Sequence, residues 1–501
     1  MRSYIVFVLL TVMLGLFVVL QLTREPRVHQ VTGAALAGTG SGSGTGRTAG
    51  TGTGTGMAGS GRGAGAAKKK VAPAPLPPRM KRPLRVAGLG WELVASGVVA
   101  NKGATSTKKS LFTDERLEVH VTAFQSMEQL EAALARGGAD PAGADIAILP
   151  LPELVAAQER IRALALQVFL VLGWSHGRDG LMASPAASLV KLPRGRVDLL
   201  GKRGQSATFF ALLVLELAGL PASRVRLLDA GDRGAGKAPF AAMERPLPDG
   251  VPVNDRKFIT TTADATRLVP VVAVAPMGLI KSNANALTAW GRVWLDGVEQ
   301  LRSDVPAAAR EVAAHKGAPH ALDLLKRLGQ IDAAPLMDNA RLAGLSGRDP
   351  VTLEQLYRRC WHIWREAGVL SSPLPDPLPI HTGIMASMVR TYPSMVEREP
   401  PPTPRSPDGK APASGDALAT LLVHRPGIQR WDRQALVEQV GFLVGIMGQA
   451  QLEISVRDNL VRARELTLAI KERYEIRIPD RLKPARHRGD GLAQVQIQLP
   501  R

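Results

Sequence analysis

QVFLVLGWSHGRDGLMAS, residues Gln167–Ser184, carries an apolar run straight into a polar group. The run Gln167–Leu172 has the length and composition of a buried strand. It leads into Ser175–Gly180, where serine, histidine, arginine and aspartate stand within six residues. Two interpretations of that polar group are open: an ordinary turn, or one wall of a binding site.

Strand-like and helix-like patterns alternate on both sides of this stretch. Apolar alternation predicts strands, and apolar residues three and four apart predict helices. The predicted strands are 85–90, 117–124, 145–149, 167–172, 224–228 and 268–274, and the predicted helices are 127–136, 153–163 and 208–218. From Asn285 onward the pattern is helical. The chain is therefore predicted to be an α/β protein followed by a helical stretch.

Four polar or glycine-rich turns follow predicted strands or precede a predicted helix, at 88–91, 149–152, 175–180 and 204–208. In open α/β sheets, ligands bind beyond the carboxyl ends of strands and against helix N-termini. Ser206 or Thr208 would cap the helix after the last turn, where free backbone N–H groups could hold a carboxylate, sulfonate or phosphate. Plain helix capping is the alternative interpretation of this turn.

Enzyme motifs are nearly absent from the sequence. It contains no His-Glu-x-x-His, no phosphate-binding Gly-x-x-x-x-Gly-Lys-Ser/Thr and no Gly-x-Ser-x-Gly. Ser175, His176 and Asp179 invite a triad interpretation, but neighbours in one turn rarely reach the required mutual geometry. The single cysteine, Cys360, forms no intramolecular disulfide and no cysteine-based metal cluster. We predict a protein that is not an enzyme and carries no cofactor or metal.

The positive charge is concentrated at the N-terminus. The chain has 63 basic and 44 acidic residues, a net charge of +19. Residues 1–83 hold eleven of the basic residues and one acidic residue, Glu25. Neither a basic face interleaved with aromatic residues nor a known module supports nucleic-acid binding. We therefore expect no nucleic-acid partner and interpret the charge as a basic tether near anionic surfaces.

The N-terminus predicts a membrane anchor. Tyr4–Leu22 is almost wholly apolar, and at about 1.5 Å per residue it just spans a hydrocarbon core of about 30 Å. The sequence after it is a poor cleavage site, so residues 1–25 are predicted to be an uncleaved signal anchor, with a cleaved signal peptide as the alternative. Residues 26–83, rich in Gly, Thr and then Pro, are predicted to be a disordered linker.

Several motifs in order give the chain a family resemblance. They are Gly88-Leu-Gly-Trp91, the Leu-Phe-x-x-Glu-x-Leu pattern at 111–117, Leu130–Asp140, Asp145–Pro150, the Ser-x-Gly-x-Asp of 175–179, Gly204–Thr208 and Ile259–Pro270. In this order they resemble the solute-binding proteins of ABC importers, closest to those for aliphatic sulfonates, taurine, nitrate and pyrimidine precursors. The resemblance covers about Leu84–Pro393.

The resemblance implies a two-lobed type II periplasmic-binding fold in residues 84–395. Lobe one would comprise 84–185 and 274–395, and lobe two 186–273. A ligand would be trapped between the lobes by hinge closure. The ligand contacts that the resemblance implies are Trp91, Pro150, Ser175, Asp179, Ser206, Ala207 and Thr208. Where the family carries an aromatic-rich contact in lobe two, this chain offers Phe240 and Glu244 as replacements.

The C-terminal part follows a second Pro-rich linker, predicted at 396–415. Residues 416–501 resemble a degenerate outer-membrane-protein-A-like domain of α+β type. The resemblance implies peptidoglycan binding through Arg464, but the family's Gly-His-x-Asp loop is missing. A purely structural domain is the alternative.

Together these patterns predict a membrane-tethered solute-binding protein, periplasmic and anchored to the cytoplasmic membrane, or exported if the anchor is cleaved. It would capture a small organic ligand, which the predicted helix N-termini allow to be anionic, and deliver it to an ABC permease. The alternative is an envelope scaffold or sensor that reuses the binding fold and associates with peptidoglycan.

Overall fold

The structure, a computed structural model, describes residues 79–189, 192–193, 195–247, 255–397, 417–424, 432–447, 451–457, 459–474, 482–487 and 493–498. The predicted anchor and nearly all of the two predicted linkers lie outside these residues. None of the described helices is long and apolar enough to cross a membrane.

Fifteen strands are described. They are β1 (Leu84–Leu89), β2 (Val119–Phe124), β3 (Ile146–Pro150), β4 (Leu166–Ser175), β5 (Asp179–Ala183), β6 (Val197–Leu200), β7 (Val225–Leu228), β8 (Phe240–Glu244), β9 (Lys257–Thr261), β10 (Pro270–Pro276), β11 (Ile331–Ala333), β12 (Ala417–His424), β13 (Gln451–Arg457), β14 (Leu482–His487) and β15 (Ala493–Gln498).

Fifteen α-helices are described as well. They are α1 (Trp91–Asn101), α2 (Leu111–Asp114), α3 (Met127–Arg136), α4 (Leu151–Ile161), α5 (Ser206–Leu217), α6 (Met277–Ser282), α7 (Ala284–Ser303), α8 (Val305–Ala313), α9 (Ala321–Leu328), α10 (Leu336–Leu342), α11 (Leu353–Glu366), α12 (Gly383–Thr391), α13 (Pro393–Val396), α14 (Arg433–Ile446) and α15 (Leu460–Tyr474).

The first sheet has the order β11-β4-β10-β3-β1-β2. β1 pairs in parallel with β2 and β3, whereas β10 runs antiparallel to both β3 and β4. Every residue of β3 and nearly every residue of β4 is buried. Continuous apolar strands of this kind are typical of a sheet covered by helices on both faces. The apolar run 167–172 therefore forms a buried interior strand of this sheet.

Helices α1 and α7 cover this sheet and pack closely against each other. Trp290 and Trp294, one turn apart on α7, are fully buried, as the sequence pattern predicts for a core stripe. The indole of Trp294 lies directly over Gly97 of α1. Because glycine has no Cβ, the two helices approach closely at this point.

The second sheet has the order β7-β6-β8-β5-β9. Helix α5 packs on it and is buried almost along its whole length, which explains its unbroken apolar sequence. β6 pairs in parallel with β7 and β8, and β5 pairs antiparallel with β8 and β9. The predicted two-lobed α/β arrangement thus has a sheet in each lobe.

The chain changes sheets twice. It leaves the first sheet at Ser175 and joins the second at Asp179, then leaves the second at Thr261 and returns to the first at Pro270. The predicted lobe boundaries, after residues 185 and 273, lie downstream of both changes. The boundaries differ because the sequence of residues 179–183 looks like the continuation of a turn. In the structure these residues form a strand that is paired on both sides in the second sheet.

The C-terminal residues build a third sheet, ordered β12-β15-β13-β14. β15 runs antiparallel to its two neighbours, and β13 and β14 are parallel. Gly445 at the end of α14 lies against Pro350 and Val351, and Ile446 accepts a 3.4 Å hydrogen bond from the Arg267 backbone N–H. This α+β unit therefore packs against the α/β part through α14.

Candidate functional site

Four buried side chains join the two sheet crossovers, and we call them the crossover cluster: Ser175, Asp179, Ser206 and Thr262. The Ser175 hydroxyl donates to Asp179 Oδ2 at 2.6 Å, and the Ser206 hydroxyl donates to Asp179 Oδ1 at 2.6 Å. Thr262 Oγ1 lies 2.7 Å from Ser175 Oγ and accepts the Gly177 backbone N–H at 2.9 Å. The cluster ties both crossovers to the N-terminus of α5.

Burial dominates the electrostatics of this cluster. It raises the pKa of Asp179, while the nearby Arg178 guanidinium and the two serine hydroxyls act in the opposite direction. Each Asp179 oxygen accepts a hydroxyl hydrogen bond inside the protein, so the cluster satisfies its own polar atoms. The structure brings Ser175 and Asp179 together in the turn between the two sheets. As ligand contacts, Ser175, Asp179 and Ser206 stay predictions.

The other residues that the resemblance selected lie in the surrounding core. Trp91 donates its indole N–H to the Gly317 carbonyl at 3.0 Å and stacks on a histidine ring. Thr208 donates to the Lys202 carbonyl at 2.7 Å. Pro150, Ala207 and Phe240 are buried at the end of β3, in α5 and in β8 respectively. These five stay untested as ligand contacts.

A cavity of about 430 Å³ lies where the strands of both sheets end, and we call it the interlobe cleft. Residues that follow β1, β2 and β3 line one side, and residues that follow β6 or end β8 line the other. This is the edge where open α/β sheets bind ligands. Its size is within the usual range of about 300–1,000 Å³ for small-molecule sites.

The inner wall of the cleft carries four charged side chains: Glu92, Glu153, Arg178 and Glu244. Glu92, Glu153 and Arg178 are only 7%, 6% and 8% exposed. Arg178 Nη2 lies 3.7 Å from Glu92 Oε1 and 3.4 Å from Glu244 Oε2. One guanidinium group therefore connects a carboxylate of lobe one to a carboxylate of lobe two.

Glu153 is the group whose burial is least offset by hydrogen bonds or opposite charge. Its Oε1 accepts the Ser206 backbone N–H at a long 3.5 Å, and no partner of Oε2 occurs in the described part of the chain. Burial, followed by the negative charge of Glu244, raises the pKa of Glu153 to about 8, although Arg178 opposes the shift. Because that pKa lies above neutral pH, Glu153 is mostly protonated in the unliganded cleft.

The rim of the cleft has the opposite character. Its charged residues are Glu128, Arg160, Lys202, Arg203 and Arg327. All except Arg327 are exposed to solvent, so their fields are screened by water and salt. The cleft thus combines an acidic, buried inner wall with a basic, solvated rim.

Two local features aim the inner carboxylates. Gly90, with φ of 99°, turns the chain from β1 into α1, and a Cβ there would lie 2.6 Å from Glu92 Oε1. Only glycine allows that turn together with that carboxylate position. Pro150 ends β3 and precedes α4, which places Glu153 in the first turn of α4. Both carboxylates therefore lie at helix N-termini facing the cleft.

Of the predicted ligand contacts, only Glu244 lines the interlobe cleft; the predictions missed Glu92, Glu153 and Arg178. An acidic residue in the first turn of a helix is ordinarily taken as a partner of the helix dipole. The signal that could have found Glu92 and Glu153 is their position, two and four residues after the ends of the predicted strands 85–90 and 145–149. Arg178 lies inside the motif 175–179, at the position to which the family pattern assigns no residue type.

Two further groups contain residues of catalytic or metal-binding type. His176 Nδ1 lies 2.9 Å from Asp332 Oδ2. Outside the cleft, Glu216, His362 and Glu366 bring three ligand atoms within 4.8 Å of one another. Arg359 Nη2 lies 2.8 Å from Glu216 Oε1 and His362 Nε2 lies 3.2 Å from Glu366 Oε1, so ion pairs already satisfy part of this set.

No protein-family model matches the chain, and no curated protein matches it in sequence. Solved structures do resemble it. The periplasmic aliphatic sulphonate binding protein SsuA from Escherichia coli is 14% identical over 58% of this chain and 89% of its own, with a TM-score of 0.41. A putative periplasmic sulfonate-binding protein from Methylobacillus flagellatus is 16% identical over 64% and 97%, with a TM-score of 0.44.

A third structure, the periplasmic nitrate-binding protein NrtA from Synechocystis, is 13% identical over 61% of this chain and 94% of its own, with a TM-score of 0.38. At these values the likenesses concern the fold and assign no ligand. The crossovers, the two sheets and the interlobe cleft define the class: a two-lobed α/β protein with a cavity between its lobes.

Proposed function

We propose that this protein captures a small organic ligand in the interlobe cleft, without covalent chemistry, as the binding component of an ABC importer. One observation carries the proposal: the cavity of about 430 Å³ is lined by charged side chains from both sheets. A site that needs residues from two lobes is complete only when the lobes are closed, which is how hinge closure traps a ligand. The likenesses in fold to binding proteins are consistent with it.

The crossover cluster supports the hinge part of this proposal. Both chain segments that connect the lobes are short, and Ser175 and Thr262, one from each, are hydrogen-bonded to each other at 2.7 Å. Hinges of two-lobed proteins are formed by a few residues in loops or at the ends of elements, as these residues are.

Thermal unfolding in the presence of ligand panels tests the proposal. A ligand that binds only the folded state stabilises it by RT ln(1 + [L]/Kd), about 2.7 kcal/mol at one hundred times Kd. We expect at least one small organic compound to raise the Tm of the full-length chain. The same compound should lose its effect when both inner carboxylates of lobe one are replaced, in E92Q/E153Q. A broad panel without any Tm shift would refute ligand capture.

The cellular setting is the part of the proposal that rests on sequence alone. The apolar segment 4–22 would hold the protein at the periplasmic face of the cytoplasmic membrane, and residues 26–83 would let the binding lobes reach a permease. Fractionation of cells that produce the full-length chain tests this: recovery of the intact chain in the membrane pellet supports an anchor, and recovery of a shortened soluble chain supports cleavage.

A second candidate, an envelope scaffold or sensor, is favoured by one observation. Arg178 connects Glu92 of lobe one with Glu244 of lobe two, so the chain's own side chains can hold the cleft closed. The C-terminal α+β unit, with exposed Arg464 on α15, would then contact peptidoglycan. Cosedimentation with purified cell-wall sacculi, lost in R464A, would favour this candidate over transport.

A further inference from the structure

We infer that the interlobe cleft selects an organic cation, a ligand with a protonated amine or guanidinium group, and holds that group against Glu153, Glu92 and Glu244. This inference rests on the proposed function and names its ligand class. It reverses the expectation, drawn from the helix N-termini, that the ligand is anionic.

The places where an anion would bind are already occupied by the chain's own carboxylates. Helix N-termini bind anions because their first backbone N–H groups are unpaired and carry partial positive charge. Glu92 folds back against the N-terminus of α1, close enough that a Cβ on Gly90 would lie 2.6 Å from its Oε1. Glu153 lies in the first turn of α4 and accepts the backbone N–H of Ser206, the first residue of α5. Three helix N-termini therefore face carboxylates that belong to the protein.

The charge balance of the inner wall calls for a cation. Three carboxyl groups, Glu92, Glu153 and Glu244, face a single guanidinium group, that of Arg178. Behind this wall, the Ser206 hydroxyl donates to Asp179, a further buried carboxyl group. With Glu153 protonated, the carboxylates of Glu92 and Glu244 still outnumber the guanidinium group by one, so an entering anion would face repulsion, whereas a cation would complete the pairing.

The cavity shows where the cation would bind. Glu153 is 6% exposed, lines the cleft, and has an oxygen without a hydrogen-bond partner among the described residues. A carboxyl group this buried is destabilising unless hydrogen bonds or an opposite charge compensate it. An ammonium group has three N–H donors and can satisfy Glu153 together with Glu244 from the opposite lobe.

Proton release follows from the same geometry. Burial, Glu244 from β8 and Asp179 from β5 raise the pKa of Glu153 and favour its protonated form, whereas Arg178 from the crossover acts in the opposite direction. A bound cation favours the ionised form, so binding at pH 7 expels a proton from Glu153. Uptake of one positive charge and loss of one proton leave the buried charge unchanged.

Matched probes test the charge preference on the full-length chain. Thermal unfolding is followed with hexane-1,6-diamine, propylamine and guanidinium-bearing agmatine, and with hexane-1,6-disulfonate and propane-1-sulfonate as anions of the same lengths. We expect a rise in Tm with at least one cation and none with the sulfonates. If no cation raises the Tm, the cation inference is wrong whatever the sulfonates do. If sulfonates alone raise it, the proposed binding function stands and only its ligand class is overturned.

Two variants separate the inner wall from the general surface charge. E153Q keeps the shape of the side chain and removes its charge, and we expect at least about tenfold weaker cation binding. E354Q removes an exposed carboxylate on α11, outside the cleft, and serves as the control, with affinity within about twofold of the original. Equal losses in both variants would indicate general electrostatic attraction and overturn the assignment to Glu153.

Calorimetry supplies a readout that a structural effect would not change. The enthalpy of cation binding at pH 7 is measured in phosphate and in Tris, whose ionisation enthalpies differ, and the difference gives the number of protons released. We expect release of up to one proton by the original chain and much less by E153Q. Equal proton release by both chains would show that Glu153 does not respond to the ligand.

Discussion

Replacing Glu153 with glutamine should make the protein more stable at alkaline pH. The Glu153 side chain is buried among other acidic groups, and its pKa is raised from the ordinary 4.5 to about 8, chiefly by burial. In the unfolded chain the same carboxyl group is surrounded by water and titrates near 4.5. Between these values the folded chain keeps a proton that the unfolded chain releases.

The sign of the effect follows from this difference in bound protons. Where the folded state binds more protons, the free energy of unfolding falls as pH rises. The contribution of Glu153 is therefore fully present below about pH 4.5 and is lost as pH approaches 8. At about 1.4 kcal/mol per pKa unit, the loss between these limits is on the order of 4–5 kcal/mol. E153Q has no proton to release and escapes this loss.

The assay is thermal unfolding of the full-length chain and of E153Q, followed by tryptophan fluorescence from pH 5 to pH 8.5. At pH 5 the two Tm values should agree closely, because glutamine and protonated glutamate are near-isosteric and can both accept the Ser206 N–H. At pH 8.5 the variant should melt several degrees higher, given roughly 2 °C per kcal/mol for a domain of this size.

An exposed glutamate provides the control. E465Q removes a carboxylate from the solvent-facing side of α15 and should follow the pH dependence of the original chain. Asp179 also has a raised pKa, so the original chain and E465Q share a background slope that E153Q retains in part. If the Tm difference between E153Q and the original chain does not grow between pH 5 and pH 8.5, the protonation assigned to Glu153 is wrong.

Three further predictions concern stability and the origin of the cleft. S206A removes a 2.6 Å hydrogen bond to a buried carboxylate, and urea unfolding should show a loss of about 1.5–3 kcal/mol; an unchanged midpoint would contradict the bracing role of the crossover cluster. W91F removes the 3.0 Å indole hydrogen bond and should lower stability by about 1 kcal/mol, whereas the affinity for any ligand found should not change; a large loss of affinity would restore Trp91 as a ligand contact. G97A should cost about 1–3 kcal/mol, because its Cβ would collide with a buried indole, while G278A, where nothing lies within 4 Å, should be neutral or slightly stabilising; equal effects of the two changes on Tm would contradict the close helix contact.

The sequence predicts the first sheet better than the second. Several elements of the first lobe lie within a few residues of their predicted bounds: the strands at 117–124, 145–149 and 167–172 and the helix at 127–136. Each of them has a clear apolar pattern over its length. Of the second sheet, the predictions missed β5, β6, β8 and β9, which are four or five residues each. These segments form strands because they pair with strands distant in sequence, and the local residue pattern does not show that pairing.

The candidate site shows the same division. The motif 175–179 lies where the chain leaves one sheet for the other, and its Ser175 and Asp179 are brought together. Which side chain of that motif enters the cleft is decided by the tertiary fold: the two polar residues point into the crossover cluster, and Arg178 lines the cavity. A pattern of residue types cannot distinguish these two directions.

Charge on the two sides of the cleft then links the fold to selectivity. Parallel strands deliver helix N-termini to one edge, which by itself favours anions. Placing Glu92 and Glu153 at two of those N-termini uses that positive potential to stabilise buried carboxylates. Arg178 neutralises part of the resulting negative charge, through ion pairs with one carboxylate of each lobe. The remaining negative charge of the inner wall favours a bound cation. The fold places helix N-termini at this edge of the sheet, where they favour anionic ligands. Glu92 and Glu153, in the first turns of two of those helices, reverse that preference.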